Sequence, residues 1–342
     1  MSADSTSLLL QSTSADAGKR LDAFLAETID GWSRSRLQRL IEDGDVLVNE
    51  KEAKPSYKMR EGDEIDIDLT EEPSARFEPE NIPLDIFYED EFLAVINKPA
   101  GMVVHPGAGI SSGTLANAVA FHFFSPQRHR DTEKDTAGLV TLSAPPALAG
   151  GVNATSERRV GIVHRLDKET SGLILIAKDP EIHEALAEQF RTREVFKSYV
   201  ALVHGSPREN SGTIDRPIAR DRWHRTKMTV AANGRHALSL WKVRQRFEKF
   251  TLLDVEIKTG RTHQIRVHLA SINHPVVGDA TYNEGRDNTV ADNEIKKAIQ
   301  KLGRQFLHAE RLSFTHPKTR VKLAFESPLP EQLDTFLKLL QN

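Results

Sequence analysis

The run Leu173-Ile174-Leu175-Ile176-Ala177-Lys178 leaves this chain little structural choice. It is apolar, short and closed by Asp179-Pro180, a turn and helix-start signal, so it reads as a buried strand. The residues before it, His164-Arg165-Leu166-Asp167-Lys168-Glu169-Thr170-Ser171-Gly172, then form the loop that enters the strand. That loop sets an arginine, an aspartate and a lysine beside hydroxyls and a glycine, and loops on rigid scaffolds are where chemistry concentrates. On charge alone the plainer reading is that Asp167 caps a turn or pairs with Arg165 or Lys168.

Upstream, residues 16–69 read as a small module. Leu21, Phe24 and Leu25 mark a short amphipathic helix, and Ser33 an N-cap for a second one. The second helix turns Leu37, Leu40 and Ile41 inward and Arg34, Arg36 and Arg39 outward, and Gly44 ends it. Val46 to Asn49 and Glu64 to Asp68 follow as strands. Three exposed arginines suit contacts to phosphates, and on charge alone they suit intrahelical ion pairs equally well. Residues 70–81 form a polar linker with Pro73 and Pro79.

The larger domain, 82–342, opens with a hairpin around Glu89-Asp90 and a turn at Pro99-Ala100-Gly101. Gly107 and Gly109 are followed by no Gly-Lys-Ser/Thr, which argues against a nucleotide site. Residues 125–159, polar and then rich in Ala, Pro and Gly, read as a mobile insertion. After the signature strand come a helix capped by Asp179 with Pro180 at its first position, a strand over Phe196–Val203, and a basic loop from Asp215 to Lys227 carrying Trp223 and His224. A hairpin over 238–246 and 251–258 leads to Thr259-Gly260-Arg261-Thr262-His263-Gln264-Ile265-Arg266-Val267-His268. There Thr262 reads as the N-cap of a short helix, Arg261 as a phosphate holder near its start, and Arg266 as a side chain beside buried Ile265. A last hairpin, 311–314 with 321–325, and a helix bearing Leu333, Phe336, Leu337 and Leu340 close the chain.

Charge narrows the possibilities. The chain carries a formal net charge of -3, yet residues 191–270 hold 17 Lys/Arg against 7 Asp/Glu, a local footprint for nucleic acid. The absence of cysteine excludes disulfides, thiolate metal sites and cysteine nucleophiles, and fits a reducing cytoplasm. Met1–Gln11 lacks a basic n-region and no stretch is long enough to span a bilayer, so neither signal peptide nor membrane partner is expected. His263, His268 and His274, spaced five and six apart, do not share a helical face, so no metal is expected.

The words of the sequence are more specific than its charges. His164–Leu173 resembles the signature loop H-R-L-D-x-x-T-S-G-L of pseudouridine synthases of the RluA/RluD type, and the match is complete. Lys197-Ser198-Tyr199-Val200-Ala201 is similar to that family's K-x-Y-x-A, and His263-Gln264-Ile265-Arg266 to its H-Q-[IL]-R, in the family's order. Arg20-Leu21-Asp22, Ser33 to Ile41 and Val46 to Asn49 resemble the RNA-binding module named after a ribosomal small-subunit protein. The resemblance implies an α+β pseudouridine-synthase fold with a mixed, largely antiparallel sheet, preceded by a small α+β RNA-binding module. It implies conversion of uridine to pseudouridine without a cofactor, most naturally in large-subunit ribosomal RNA. A monomer is the default expectation.

The resemblance also implies roles. Asp167 is the nucleophile, Arg266 its ionic partner, and Tyr199 the aromatic beside the target base. An opposed guanidinium favours the charged carboxylate, and a flat, always charged Arg165 suits the gap left by a flipped nucleotide. His164, Lys168, Arg261, Arg34, Arg36 and Arg39 are expected RNA contacts. Three rivals stand beside this reading: a catalytically silent ribosome assembly factor, a synthase acting on transfer RNA, and a glycosidic-bond hydrolase, for which Glu169 is the only second carboxylate in the loop.

Overall fold

The computed structural model describes residues 7–29, 32, 34–42, 44–68, 78–106, 110–124, 161–221, 223–224 and 226–341. The insertion expected at 125–159, residues 70–77 of the linker, the Ser33 cap and the Gly107 and Gly109 positions lie outside them.

The N-terminal module contains β1 (Ser7–Gln11), α1 (Leu21–Thr28), α2 (Arg34–Glu42), β2 (Val46–Val48), β3 (Lys51–Glu52) and β4 (Glu64–Asp68). Its sheet is antiparallel, in the order β1-β4-β2-β3. Leu21, Phe24 and Leu25 of α1 and Leu37, Leu40 and Ile41 of α2 bury against Val46, Val48, Ile65 and Ile67. Gly44, at φ +74, closes α2, a conformation that costs glycine no Cβ clash. The pairing of β1 with β4 extends this sheet ahead of Asp16, where Leu8-Leu9-Leu10 reads on sequence as no more than an apolar run.

The larger domain runs through β5 (Ile86–Glu89), β6 (Leu93–Lys98), α3 (Leu115–Val119), β7 (Gly161–Ile162), β8 (Ser171–Ala177), α4 (Pro180–Arg191), β9 (Phe196–His204), β10 (Ser211–Asp215), β11 (Ile218–Arg220) and β12 (Met228–Val230). It continues with β13 (Leu238–Arg246), β14 (Phe250–Ile257), α5 (Gln264–Ser271), α6 (Asn293–Leu302), β15 (Leu307–Thr315), β16 (Lys322–Glu326) and α7 (Glu331–Leu339). One sheet follows the path β10-β13-β14-β9-β15-β8-β6-β5, with β16 on β15 and β7 on β8. Among the described strands only β15 and β8 run parallel, so the sheet is mixed and largely antiparallel, as expected.

The signature strand explains its own composition. Every residue of β8 is buried. Ile174 and Ile176 join the core that includes Val200 and Leu202 of β9, while Leu173, Leu175 and Ala177 face Ile182 and Leu186 of α4 on the other side. A strand covered on both faces needs no polar alternation. Asp179 accepts the Ile182 N–H at 2.9 Å and Pro180 occupies the first turn, so α4 starts where the sequence places it.

Three stretches differ from expectation. The basic loop at Asp215–Lys227 contains β11 and leads into its hairpin partner β12. The strand expected from Arg311 starts four residues earlier, where buried His308 and Glu310 interrupt the apolar pattern that periodicity detects. The unexpected α6 is capped by Asp292 and ended by Gly303 at φ +64. Among the described residues, no helix is long and apolar enough to cross a membrane.

Candidate active site

The signature loop is fastened at several points. Gly172 has φ +118, and a Cβ there would lie 2.3 Å from the Ala309 carbonyl oxygen, so only glycine lets β8 meet β15 so closely. The Thr170 N–H reaches the Asp167 carbonyl at 3.0 Å, closing a turn. The Lys168 carbonyl accepts the Gly101 N–H at 2.9 Å and the ammonium of fully buried Lys98 at 3.0 Å. Lys98 also donates to the Pro99 and Met102 carbonyls, each at 2.8 Å. Arg304 donates to the Ser171 hydroxyl at 2.9 Å and Gln305 to that of Thr170 at 3.2 Å.

The second wall is α5. Its cap is His263, at φ +54, rather than Thr262. The Gln264 side-chain oxygen accepts the Arg261 N–H at 3.0 Å and the Thr259 hydroxyl at 2.8 Å, which ties the preceding loop to the first turn of the helix. Arg266 points into the cleft, its side chain 6% exposed. Its Nη1 donates to Oδ2 of Asp167 at 3.1 Å, while Nε and Nη2 donate to Oδ2 and Oδ1 of Asp279 at 2.7 and 2.8 Å. The Tyr282 ring lies 4.9 Å from the guanidinium carbon. Tyr199 completes the site from β9, where it pairs with Val255 and Ala309.

These residues open on a solvent-accessible cavity lined by Arg165, Asp167, Tyr199, Arg261, His263 and Arg266, among others. Burial alone would push the Asp167 carboxyl up, but the neighbouring His263, Arg266 and Arg165 outweigh it and hold the group below the usual carboxylate range. Burial also works against the Arg266 charge, yet the Asp279 and Asp167 carboxylates keep it firmly protonated. Burial, reinforced by the Asp167 charge, pushes the Tyr199 phenol up, so it stays neutral. The cavity thus offers an ionised carboxylate, a guanidinium donor and a neutral aromatic face.

Five of the residues singled out from sequence, Asp167, Tyr199, Arg266, Arg165 and Arg261, line this one cavity. His164 does not. Its ring instead stacks on Phe190 at 4.9 Å, and its Nε2 accepts the Leu175 N–H at 3.0 Å. Burial, with the Lys197 charge, pushes its pKa down to about 3, so it is a neutral clasp between loop and strand. Lys168 contributes its carbonyl to the loop's anchorage and is likewise absent from the cavity lining.

Two of the three arginines expected to contact RNA from the N-terminal module, Arg34 and Arg39, form ion pairs within the protein. Arg34 pairs with Asp22, which is fully buried and also binds Arg20. Arg39 pairs with Glu184 of α4 at 2.9 Å, and the Arg36 side chain is not among those described. Arg261 pairs with Asp45. The three histidines near α5 have separate partners: His263 the Tyr282 hydroxyl, His268 the Ser239 hydroxyl and Arg216 carbonyl, and His274 the His204 carbonyl. Among the described residues, no group of three or more His, Cys, Asp or Glu side chains is arranged to hold a metal ion.

Two residues of the site escape the sequence reading. Lys98 falls in the run Asn97-Lys98-Pro99-Ala100-Gly101, which resembles the family's entry strand but gives the lysine no role, and Asp279 reads only as an aspartate after Val276-Val277-Gly278. A fully buried charge at either position is the signal, and burial is not written in local spacing.

A mixed sheet presenting a carboxylate–guanidinium pair beside a buried tyrosine, joined to a small helix-and-sheet module, is the frame of an enzyme with an appended binding domain. The family profile described as RNA pseudouridylate synthase matches residues 92–271, and that of the S4 domain matches residues 19–65. The chain is 42% identical over 327 residues to the ribosomal large subunit pseudouridine synthase D of Nitrosomonas europaea, covering 95% of this chain and 86% of that protein. It is 38% identical over 323 residues to the uncharacterized RNA pseudouridine synthase YlyB of Bacillus subtilis, covering 94% of each. The solved structure of human RNA pseudouridylate synthase domain containing 4 matches with a TM-score of 0.55 at 25% identity, over 75% of this chain and 92% of that one. The chain belongs to the RNA pseudouridylate synthase family and is an RNA pseudouridine synthase carrying an S4 domain.

Proposed function

We propose that this enzyme isomerises uridine in large-subunit ribosomal RNA, with Asp167 as the nucleophile. The observation that carries the reading is the Arg266–Asp167 contact at 3.1 Å in a cavity that Tyr199 also lines. The reaction breaks the bond from the ribose anomeric carbon to N1 of uracil and forms one to C5; the C5 proton is lost and N1 gains one, so no co-reactant is consumed. Arg266 keeps Asp167 ionised and aimed. Tyr199, a neutral phenol, lies against the flipped base, and Arg165 enters the gap the base leaves. The S4 domain positions the RNA. Support for the ribosomal substrate comes from relatives named for it, among them the Nitrosomonas europaea protein. The same reading puts the enzyme in the cytoplasm.

The test is nucleoside analysis of large-subunit ribosomal RNA and transfer RNA after incubation with wild type and Asp167→Asn. Wild type should form pseudouridine in the ribosomal RNA. Asp167→Asn should form none, with RNA affinity within about threefold of wild type, because the amide keeps the shape and loses the anion. Pseudouridine confined to transfer RNA would overturn the substrate, free uracil the reaction, and turnover by Asp167→Asn the nucleophile.

A further inference from the structure

We propose that Asp279 is a positioning residue for the isomerisation, acting through Arg266 on Asp167. The inference rests on the reading of Asp167 as nucleophile and adds a residue to it.

A guanidinium that is free to turn binds a carboxylate with two parallel N–H bonds. Arg266 makes that two-pronged contact, but with Asp279, through Nε at 2.7 Å and Nη2 at 2.8 Å. What remains for Asp167 is Nη1, and it reaches Oδ2 alone. Asp279 therefore decides which edge of Arg266 the reactive carboxylate meets. One oxygen of Asp167 is stabilised, and the other is not tied to the same guanidinium.

Asp279 has little freedom to move. It is fully buried, and its Oδ1 also accepts the Thr281 N–H at 2.9 Å and the Tyr282 N–H at 3.2 Å. The residue before it, Gly278, has φ +75, and a Cβ there would lie 2.2 Å from the Arg304 carbonyl oxygen, so the backbone is pressed against a neighbouring segment. Tyr282, three residues on, covers the face of the same guanidinium. Arg266 is thus held by edge and by face from one short segment. Without Asp279, its two-pronged edge is released to turn onto Asp167 and engage both carboxylate oxygens, which lowers the nucleophilicity of the group.

The experiment uses the full chain carrying Asp279→Asn, Asp279→Glu, Arg266→Lys, or Asp279→Asn with Arg266→Lys, on an RNA that the wild type modifies. Single-turnover rate per folded molecule, RNA Kd and melting temperature are measured for each. Asp279→Asn should slow the chemical step about 100-fold and Asp279→Glu about tenfold, with Kd within about threefold of wild type, as expected for a misplaced reacting pair. On the Arg266→Lys background, where no fork remains to be held, Asp279→Asn should change the rate by less than about threefold. A rate per folded molecule equal to wild type in Asp279→Asn, or costs that simply multiply in the double variant, would overturn the proposal. Should Asp279→Asn fail to fold, Asp279→Glu decides: a slowed step at unchanged Kd supports the proposal and a wild-type rate overturns it. Turnover by Asp167→Asn removes the nucleophile reading itself; an inactive Asp167→Asn beside a fully active Asp279→Asn removes only this inference.

Discussion

Arg261, on the rim of the cavity, forms an ion pair with Asp45, which precedes β2 in the S4 domain. Arg235 donates to the carbonyl of the same aspartate. The two domains therefore meet at a residue that is itself suited to an RNA phosphate, and a phosphate at Arg261 has to compete with the Asp45 carboxylate. Asp45→Asn should tighten RNA binding a few-fold at low salt and steepen the dependence of log K on log salt by about one unit. Anisotropy titrations at several salt concentrations check this; weaker binding would mean that Asp45 orients the S4 domain for RNA.

Arg266 serves two carboxylates, so its substitutions separate charge from geometry. Arg266→Lys keeps a positive charge but loses the planar fork, and should retain part of the rate. Arg266→Ala leaves Asp167 without its main hydrogen-bonded partner and strands fully buried Asp279, costing about 3–5 kcal/mol of stability. The sign of the pH effect follows from the lowered Asp167 carboxyl. In wild type the ionised form persists below the ordinary carboxylate range. In Arg266→Ala burial acts with less opposition, so the acid limb of the rate profile should move up and activity recover as pH rises. A profile identical to wild type between pH 6 and 9 would sink the pairing.

Gly172→Ala places a methyl group 2.3 Å from the Ala309 carbonyl oxygen at a φ of +118. Neither backbone can yield without disturbing the β8–β15 contact. The expected loss is about 3–5 kcal/mol, from overpacking and backbone strain together. Chemical denaturation of the purified variant checks it, and a midpoint equal to wild type would contradict the close approach of these two strands.

Acid should weaken the fold through two histidines held neutral inside it. Burial holds His308 at about 4, and burial with the Lys197 charge holds His164 at about 3, both below the ordinary 6.5. The unfolded chain therefore binds protons that the folded chain refuses. Their contribution is complete above about pH 6.5 and declines as pH falls, each histidine adding up to about 1.4 kcal/mol per pH unit down to its folded pKa. Urea unfolding at pH 7, 6 and 5 measures the slope. His308→Gln, which cannot titrate, should reduce it by about one proton.

Much of the local architecture was legible because neighbouring residues determine it. An apolar run ending in Asp179-Pro180 makes a strand and then a capped helix, and the stripes of α1 and α2 announce their buried faces at helical spacing. The signature loop, Tyr199 and Arg266 are words of a family, and that resemblance pairs Asp167 with Arg266 across 99 positions of sequence. What only the tertiary structure decided is where side chains point once distant segments meet. His164 turns onto Phe190 and the Leu175 N–H because β8 and α4 leave that space. Arg261 meets Asp45 across 216 positions, and Asp279 takes the fork of Arg266 from a segment whose backbone at Gly278 lies against Arg304. Spacing along the chain reports which face a residue occupies; the partner that fills the space opposite comes from another part of the chain, and its charge and shape decide what the residue does.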